Sequence, residues 1–184
     1  MRGYSIFKYL LPLFGNITYY HPLVYTFVVL SIIHSSLSAL SSNHIKQIIA
    51  YSSIVHMNLG ALRLFSNKTY GVFRGLYCML SHNFISSGLS ILAETLYNRY
   101  QTYLVKKYSS VFETTSIIPG FFIFFSFSNI SLPLTGNFIG KLLVFFSLSK
   151  YNFTFILLII FYILITAAYS LLMLIKILFG GVKV

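Results

Sequence analysis

The sequence predicts an all-α integral membrane protein with about six transmembrane segments, one of them a broken helix. Three observations predict it. The 184 residues are 57% hydrophobic and only 8% charged, with a mean hydropathy of +0.82, where soluble domains carry about 25% charged residues. The apolar residues fall into runs near the roughly 20 residues that one crossing needs. One run is too long for a single crossing and holds a proline and a glycine in its middle. No polar half is present that could fold in water, so residues 1–184 read as a single membrane unit with short loops.

The segments follow in order. The first, about 3–14, ends at Pro12 to Gly15 and is too short to span alone; it reads as the tail of a longer helix. The second, about 22–41, places Pro22 in its first turn, where a missing N–H costs nothing. The third, about 44–65, carries His56. The fourth, about 70–98, carries His82 and is long enough to require tilt or protrusion into water. The fifth, about 115–147, would run roughly 50 Å as one straight helix, well beyond a hydrocarbon core of about 30 Å. Its stretch Asn129-Ile130-Ser131-Leu132-Pro133-Leu134-Thr135-Gly136-Asn137 predicts a break near 129–137, because Pro133 removes a donor and clashes with the preceding turn. Broken backbone at membrane depth survives only inside protein or beside a wet cavity. The sixth segment, about 152–179, closes at Gly180-Gly181.

Thirteen Lys and Arg stand against two acids, giving a net charge of +11. The cations are spread between apolar segments rather than gathered on one face. They read as loop anchors and orientation signals, and nucleic acid is not expected as a partner. Arg2, Lys46, Arg99, Lys106, Lys107, Lys176 and Lys183 fall on one side, and Lys8, Arg63, Lys68, Arg74 and Lys150 on the other. The excess places the 100–114 loop and the C-terminus on the cytosolic or matrix side. Cys78 stands alone, which excludes an internal disulfide framework or cysteine metal site. No cleavable signal or Arg-rich transit segment is expected at the start. Nineteen Phe and fifteen Tyr with no Trp suit an A- and T-rich coding sequence and an organelle-encoded product.

The chemistry-bearing candidates are ionisable groups at membrane depth. An ionisable side chain there costs roughly 2.5–3.5 kcal/mol on insertion scales, so it marks a functional hypothesis. His56 lies about twelve residues into its helix, with Ser52 and Ser53 one turn before it. Their hydroxyls are placed to bond the imidazole or hold a water. Imidazole titrates near pH 6.5 and can donate at one nitrogen while accepting at the other. The alternative is a neutral histidine that packs two helices. His82 sits at a similar depth in the next helix among Ser81, Asn83, Ser86 and Ser87. Lys141 follows the break marked by Pro133 and Gly136. A lysine kept from water is a proton-exchanging group, and the alternative is one that snorkels to the interface. His34 reads as core packing, His21 and His44 as interfacial, and Glu94 as paired with Arg99 or solvent. The sequons at Asn16, Asn67, Asn129 and Asn152 read as incidental. No nucleophile–base pair, phosphate loop or metal-ligand spacing is present.

These residues carry a resemblance. The run Ile45-Lys46-Gln47-Ile48-Ile49-Ala50-Tyr51-Ser52-Ser53 to His56-Met57-Asn58 resembles the chain 4 family of respiratory complex I, the proton-pumping NADH:ubiquinone oxidoreductase. Met79-Leu80-Ser81-His82 with Ser86-Ser87, then Asn129 to Gly140, then Ala167-Ala168-Tyr169-Ser170-Leu171 match the same family in the same order. Mrp-type antiporter subunits share much of the pattern, but Met57-Asn58 favours the mitochondrial respiratory chain. The resemblance spans about 3–180. It implies the later portion of a fourteen-helix, antiporter-like fold in the mitochondrial inner membrane, whose proton path includes His56, His82 and Lys141. Ser52, Ser53, Ser81 and Ser86 support that path. No group of this chain is catalytic in the redox sense. NADH, FMN, iron–sulfur clusters and ubiquinone would be bound by other subunits.

Two departures from the family pattern matter. The earlier helices, with their lysines and glutamate, and the final helix have no counterpart here. A separate polypeptide is therefore expected to supply the earlier helices, beside other membrane-arm subunits and lipids. The acid expected on the broken helix is replaced by Lys141, which reverses the charge parity of the site. Two rival functions are a structural spacer that no longer pumps and a cation/proton antiporter subunit.

Overall fold

A computed structural model describes residues 21–64, 69–108, 117–148 and 153–179, and the segment expected at about 3–14 lies outside them. Among the described residues the chain is helical: α1 His21–Ser41, α2 Ile45–Leu64, α3 Thr69–Tyr100, α4 Ile117–Ile130, α5 Gly136–Leu148 and α6 Phe153–Leu178. Helices are the open-chain solution in lipid because each satisfies its own backbone. α1 extends this economy to its side chains. Thr26, Ser31, Ser35, Ser36, Ser38 and Ser41 each donate a hydroxyl to a carbonyl three or four residues back. A serine-rich helix thereby stays compatible with hydrocarbon.

α1, α3 and α6 contain stretches long and apolar enough to cross a membrane, Leu23–Ser41, Val72–Tyr100 and Ile160–Leu178. α2 is twenty residues long, about 30 Å at 1.5 Å per residue, which also matches the hydrocarbon core. Its lower hydropathy has a structural cause. It packs between α1 and α3 and turns Ser52 and His56 inward together with Ile45, Ile48, Ile49, Val55 and Leu59. Outward faces of the bundle are apolar instead: Phe27, Leu30, Phe73, Phe84, Phe124 and Leu164 are exposed. This inversion is the pattern of a bundle whose solvent is lipid. His34 lies on the exposed side of α1, which corrects the expectation of core packing. The buried residues Ile32, Ser35, Ser36 and Ala39 define the inner stripe by helical spacing, and position 34 falls off it.

One end of the bundle is stitched by backbone. The Ile45 amide donates to the Tyr103 carbonyl at 3.1 Å, and the Val105 amide donates to the Asn43 carbonyl at 2.9 Å. A short 3-10 turn, Val105–Lys107, then packs against α6. Lys46, Arg99, Lys106 and Lys176 belong to this end, while Arg63 and Arg74 lie towards the opposite ends of α2 and α3. Glu94 pairs with Lys46 of the neighbouring helix at 3.3 Å while its side chain stays largely exposed to solvent.

The long fifth segment is two helices. α4 stops at Ile130, residues 131–135 turn, and α5 starts at Gly136. Ser131 and Leu134 both adopt φ near +80°, a region that non-glycine residues seldom enter. The loose carbonyls of the α4 terminus are met by side chains of α5: Asn137 Nδ2 lies 3.4 Å from the Ser128 carbonyl and Lys141 Nζ 3.3 Å from the Ile130 carbonyl. α5 sits tightly on α3 through two glycines one turn apart. A Cβ at Gly136 would come 3.0 Å from Ser81 Cβ, and one at Gly140 would come 3.3 Å from Cys78 Cα. Small residues at this spacing let helix backbones approach in lipid.

Candidate functional site

The close approach of α5 to α3, and of α2 to both α3 and α6, brings three titratable residues to one place. His56 of α2 and His82 of α3 are each fully buried, and Lys141 of α5 is 5% exposed. The imidazoles stack, with ring centroids 4.1 Å apart and planes 16° from parallel. Stacking fixes the geometry of any transfer between them. Ring nitrogens lie at the edges, so two parallel rings cannot form an in-plane N–H···N bond directly. A proton passing from one to the other needs an intermediary at the ring edges.

The edge of His56 is served by α6. Tyr162 Oη lies 3.2 Å from His56 Nδ1, and the tautomer decides which group donates. The same tyrosine ring stands 5.2 Å from the Lys141 amine. Lys141 therefore points inward, onto a helix-terminal carbonyl and an aromatic face. A cation is favoured at a helix C-terminus, where the peptide dipoles present their negative end. Both histidines feel the charge of Lys141, and His56 feels that of His82. In a water-poor interior, a proton on one of the three opposes a proton on the others.

The remaining polar atoms are under-satisfied. Among the described residues, His56 Nε2, both nitrogens of His82, Ser126 Oγ, Asn129 Oδ1 and the Tyr169 hydroxyl are buried without a hydrogen-bond partner. Buried polar groups are paired in nearly all native proteins, and water is the usual remaining partner. Such a cluster of orphans is what a hydrated proton path requires.

The other sequence-selected residues fall around this centre. Ser52 and Ser53 bond the carbonyls of Ile49 and Ala50, each at 2.7 Å. Their hydroxyls serve their own helix; they do not bond His56. Ser86 likewise bonds the Asn83 carbonyl at 3.1 Å. Ser81 does reach across, 3.0 Å from Asn137 Oδ1, and so ties α3 to the start of α5. Pro133 is exposed in the turn, and Gly136 forms the α3 contact already described. Tyr162 was not singled out from sequence, since it is one of fifteen tyrosines. Its signal is positional: Tyr162, Thr166, Tyr169 and Lys176 recur at helical spacing along an otherwise apolar segment.

Known proteins resemble this chain over most of its length. The sequence profile of the family described as "NADH:quinone oxidoreductase/Mrp antiporter, TM" matches residues 1–166. NADH-ubiquinone oxidoreductase chain 4 of Chondrus crispus is 35% identical over 184 residues, covering 100% of this chain and 37% of the relative. The protein of the same name from Arabidopsis thaliana is 34% identical over 181 residues, covering 98% of this chain and 37% of the relative. The chain thus spans little more than a third of the length of these relatives. Among solved structures, a chain of respiratory complex I from Thermus thermophilus with bound NADH superposes with a TM-score of 0.89 at 23% identity, covering 98% of this chain and 39% of that one. A chain of the membrane-bound sulfane sulfur reductase, an archaeal respiratory membrane complex, gives 0.82 at 21% identity, covering 90% and 34%. At these identities the two structures establish the shared fold. By its profile and its relatives, the chain belongs to the NADH:quinone oxidoreductase/Mrp antiporter transmembrane family.

Proposed function

We propose that this chain is part of the membrane arm of a proton-pumping NADH:ubiquinone oxidoreductase in the mitochondrial inner membrane. The observation that carries the reading is the meeting of His56, His82 and Lys141 in one buried centre, within a family of respiratory and antiporter subunits. Lys141 holds or releases a proton at Nζ, the imidazoles take it up at their ring nitrogens, and water at the orphaned atoms carries it between ring edges. Because like charges at this range repel, a proton arriving at one group drives one off another. The chain does no redox chemistry. NADH, FMN, iron–sulfur clusters and ubiquinone belong to other subunits.

The relatives are longer than this chain, which covers 37% of the Chondrus crispus protein. In this reading a separate polypeptide supplies the earlier helices of the fold in the working complex, and mass spectrometry of every membrane-arm chain in the purified assembly tests this. Recovery of no second chain with those helices rejects it. The pumping role is tested in proteoliposomes of the intact complex. Changing His56 and His82 to leucine should lower the protons moved per electron pair while NADH oxidation continues. An unchanged ratio would mean that this module only spaces the arm.

A further inference from the structure

His34 points out of the bundle at membrane depth. Its helix, α1, packs on α2 and α6. The far side of α1 carries Leu23, Phe27, Leu30, His34, Leu37 and Ser41, all exposed. They recur at intervals of three and four residues, so they form one stripe. From Leu23 to Ser41 it runs about 27 Å, close to the thickness of the hydrocarbon core. Only 22% of the α1 span is buried, against 39% in each of α3 and α6. The apolar members of the stripe suit acyl chains or another helix equally. The imidazole does not. It stands seven residues, about 10 Å, inside the Ser41 end of α1, too deep for a short side chain to reach the interface. The α1 serines give their hydroxyls to carbonyls of their own helix, but the His34 ring has no hydrogen-bond partner among the described residues. Elsewhere the bundle turns such groups inward. His56 and His82 are buried, and Asn58 of α2 donates to the Ser31 hydroxyl at 2.7 Å. Ionisable groups within a membrane face protein or a wet cavity, not lipid.

This sequence offers His34 little of its own. The apolar run ahead of α1, about 3–14, is shorter than the stripe and carries Lys8, a cation. Against thirteen Lys and Arg the chain has two acids. Glu94 is engaged by Lys46 at the basic end, and Glu113 belongs to the polar stretch at about 100–114. The group complementary to an imidazole on so basic a chain is an acid from outside it. We propose that the outer stripe of α1 is the docking face for a transmembrane helix of another subunit, which presents an acidic side chain to His34. The inference rests on the membrane-arm reading above and names a contact within it. Side chains spaced by three and four residues interlock with a helix crossing at about 20°, the common geometry of membrane bundles. A single polar position in an apolar seam fixes the register, because one alignment alone brings the carboxyl oxygen to accept from the ring N–H.

The test uses the intact complex in its membrane. A photoreactive leucine analogue in place of Leu37 is activated by light, and whatever it attaches to is identified by mass spectrometry. The expected product is a transmembrane helix of another subunit with Asp or Glu within one turn of the attachment point. Attachment to lipid, to residues 1–20 of this chain, or to a helix without an acid there overturns the proposal. Leu30 serves in the same way should the Leu37 variant not assemble. A second measurement compares His34→Leu and His34→Gln with the parent by thermal dissociation of the complex. The docking face predicts a midpoint lowered by His34→Leu and partly restored by His34→Gln, whose amide still donates. A midpoint unchanged or raised by His34→Leu overturns the docking face, and an equal loss in both variants overturns the pairing with an acid. The expected attachment in an assembly that moves no protons would reject the pumping role and keep the interface. A pumping complex with lipid attached at position 37 would do the reverse.

Discussion

Lys46 and Lys141 are the same amino acid beside a tyrosine ring, and they do opposite work. Lys46 sits at the basic end, its side chain 47% exposed, 3.3 Å from Glu94 and 4.4 Å from the Tyr103 ring centroid. Lys141 is 5% exposed, 5.2 Å from the Tyr162 ring centroid, and it donates to the Ile130 carbonyl. Water, a carboxylate and an aromatic face stabilise the first charge permanently. The second has a carbonyl, a ring and two imidazoles, which can themselves become charged. Position, not residue type, separates an anchor from a group whose charge responds to its neighbours. A surface pair in high dielectric is worth little, whereas an isolated charge in a dry interior is governed by what surrounds it.

Four experiments test this contrast. The largest effect is expected for Lys141→Met. It removes the exchangeable proton and should slow proton transfer through this chain by about two orders of magnitude, the scale for losing a positioned acid–base group. Proton flux in vesicles at matched NADH turnover measures it. Next is Gly140→Val, which forces α5 away from Cys78 and moves Lys141 with it. Overpacking of this kind costs about 1–3 kcal/mol, read as a lowered midpoint of thermal dissociation of the complex, together with weakened pumping. A smaller change of opposite sign is expected for Gly120→Ala. Nothing lies within 4 Å of its added Cβ, and alanine in place of a helical glycine stabilises by about 0.5–1 kcal/mol. The same thermal measurement should show a slight rise with pumping intact. Smallest is Lys46→Ala, which should leave the proton-to-electron ratio at the parent value and cause at most a slight, salt-sensitive loss of thermal stability. A pumping defect there as large as that of Lys141→Met would erase the distinction.

Much of the fold was legible because its determinants are local. Hydropathy marks runs of crossing length, and Asn129 to Asn137 carry the proline, the glycine and the polar groups that divide α4 from α5. The depth of His56 and His82 also follows from counting residues along a helix. What could not be read is set by contacts between distant segments. Stacking of the two imidazoles depends on how α2 crosses α3, and the Tyr162 bond to His56 joins residues 106 positions apart. Ser52 and Ser53 show the limit from the other side. Helical spacing places them near His56, but a serine hydroxyl in a helix has a carbonyl of the preceding turn within reach and takes it. Glu94 likewise finds Lys46 from α2, a partner 48 positions away that counting along one helix does not reveal.

The central claim is that the histidines are wet. A density map of the intact complex, sharp enough to show ordered water, tests it most directly. The account predicts water bonded to His56 Nε2, to the nitrogens of His82 and to the Tyr169 hydroxyl. Acyl chains or bare apolar side chains against those same atoms, with no water between, would contradict it.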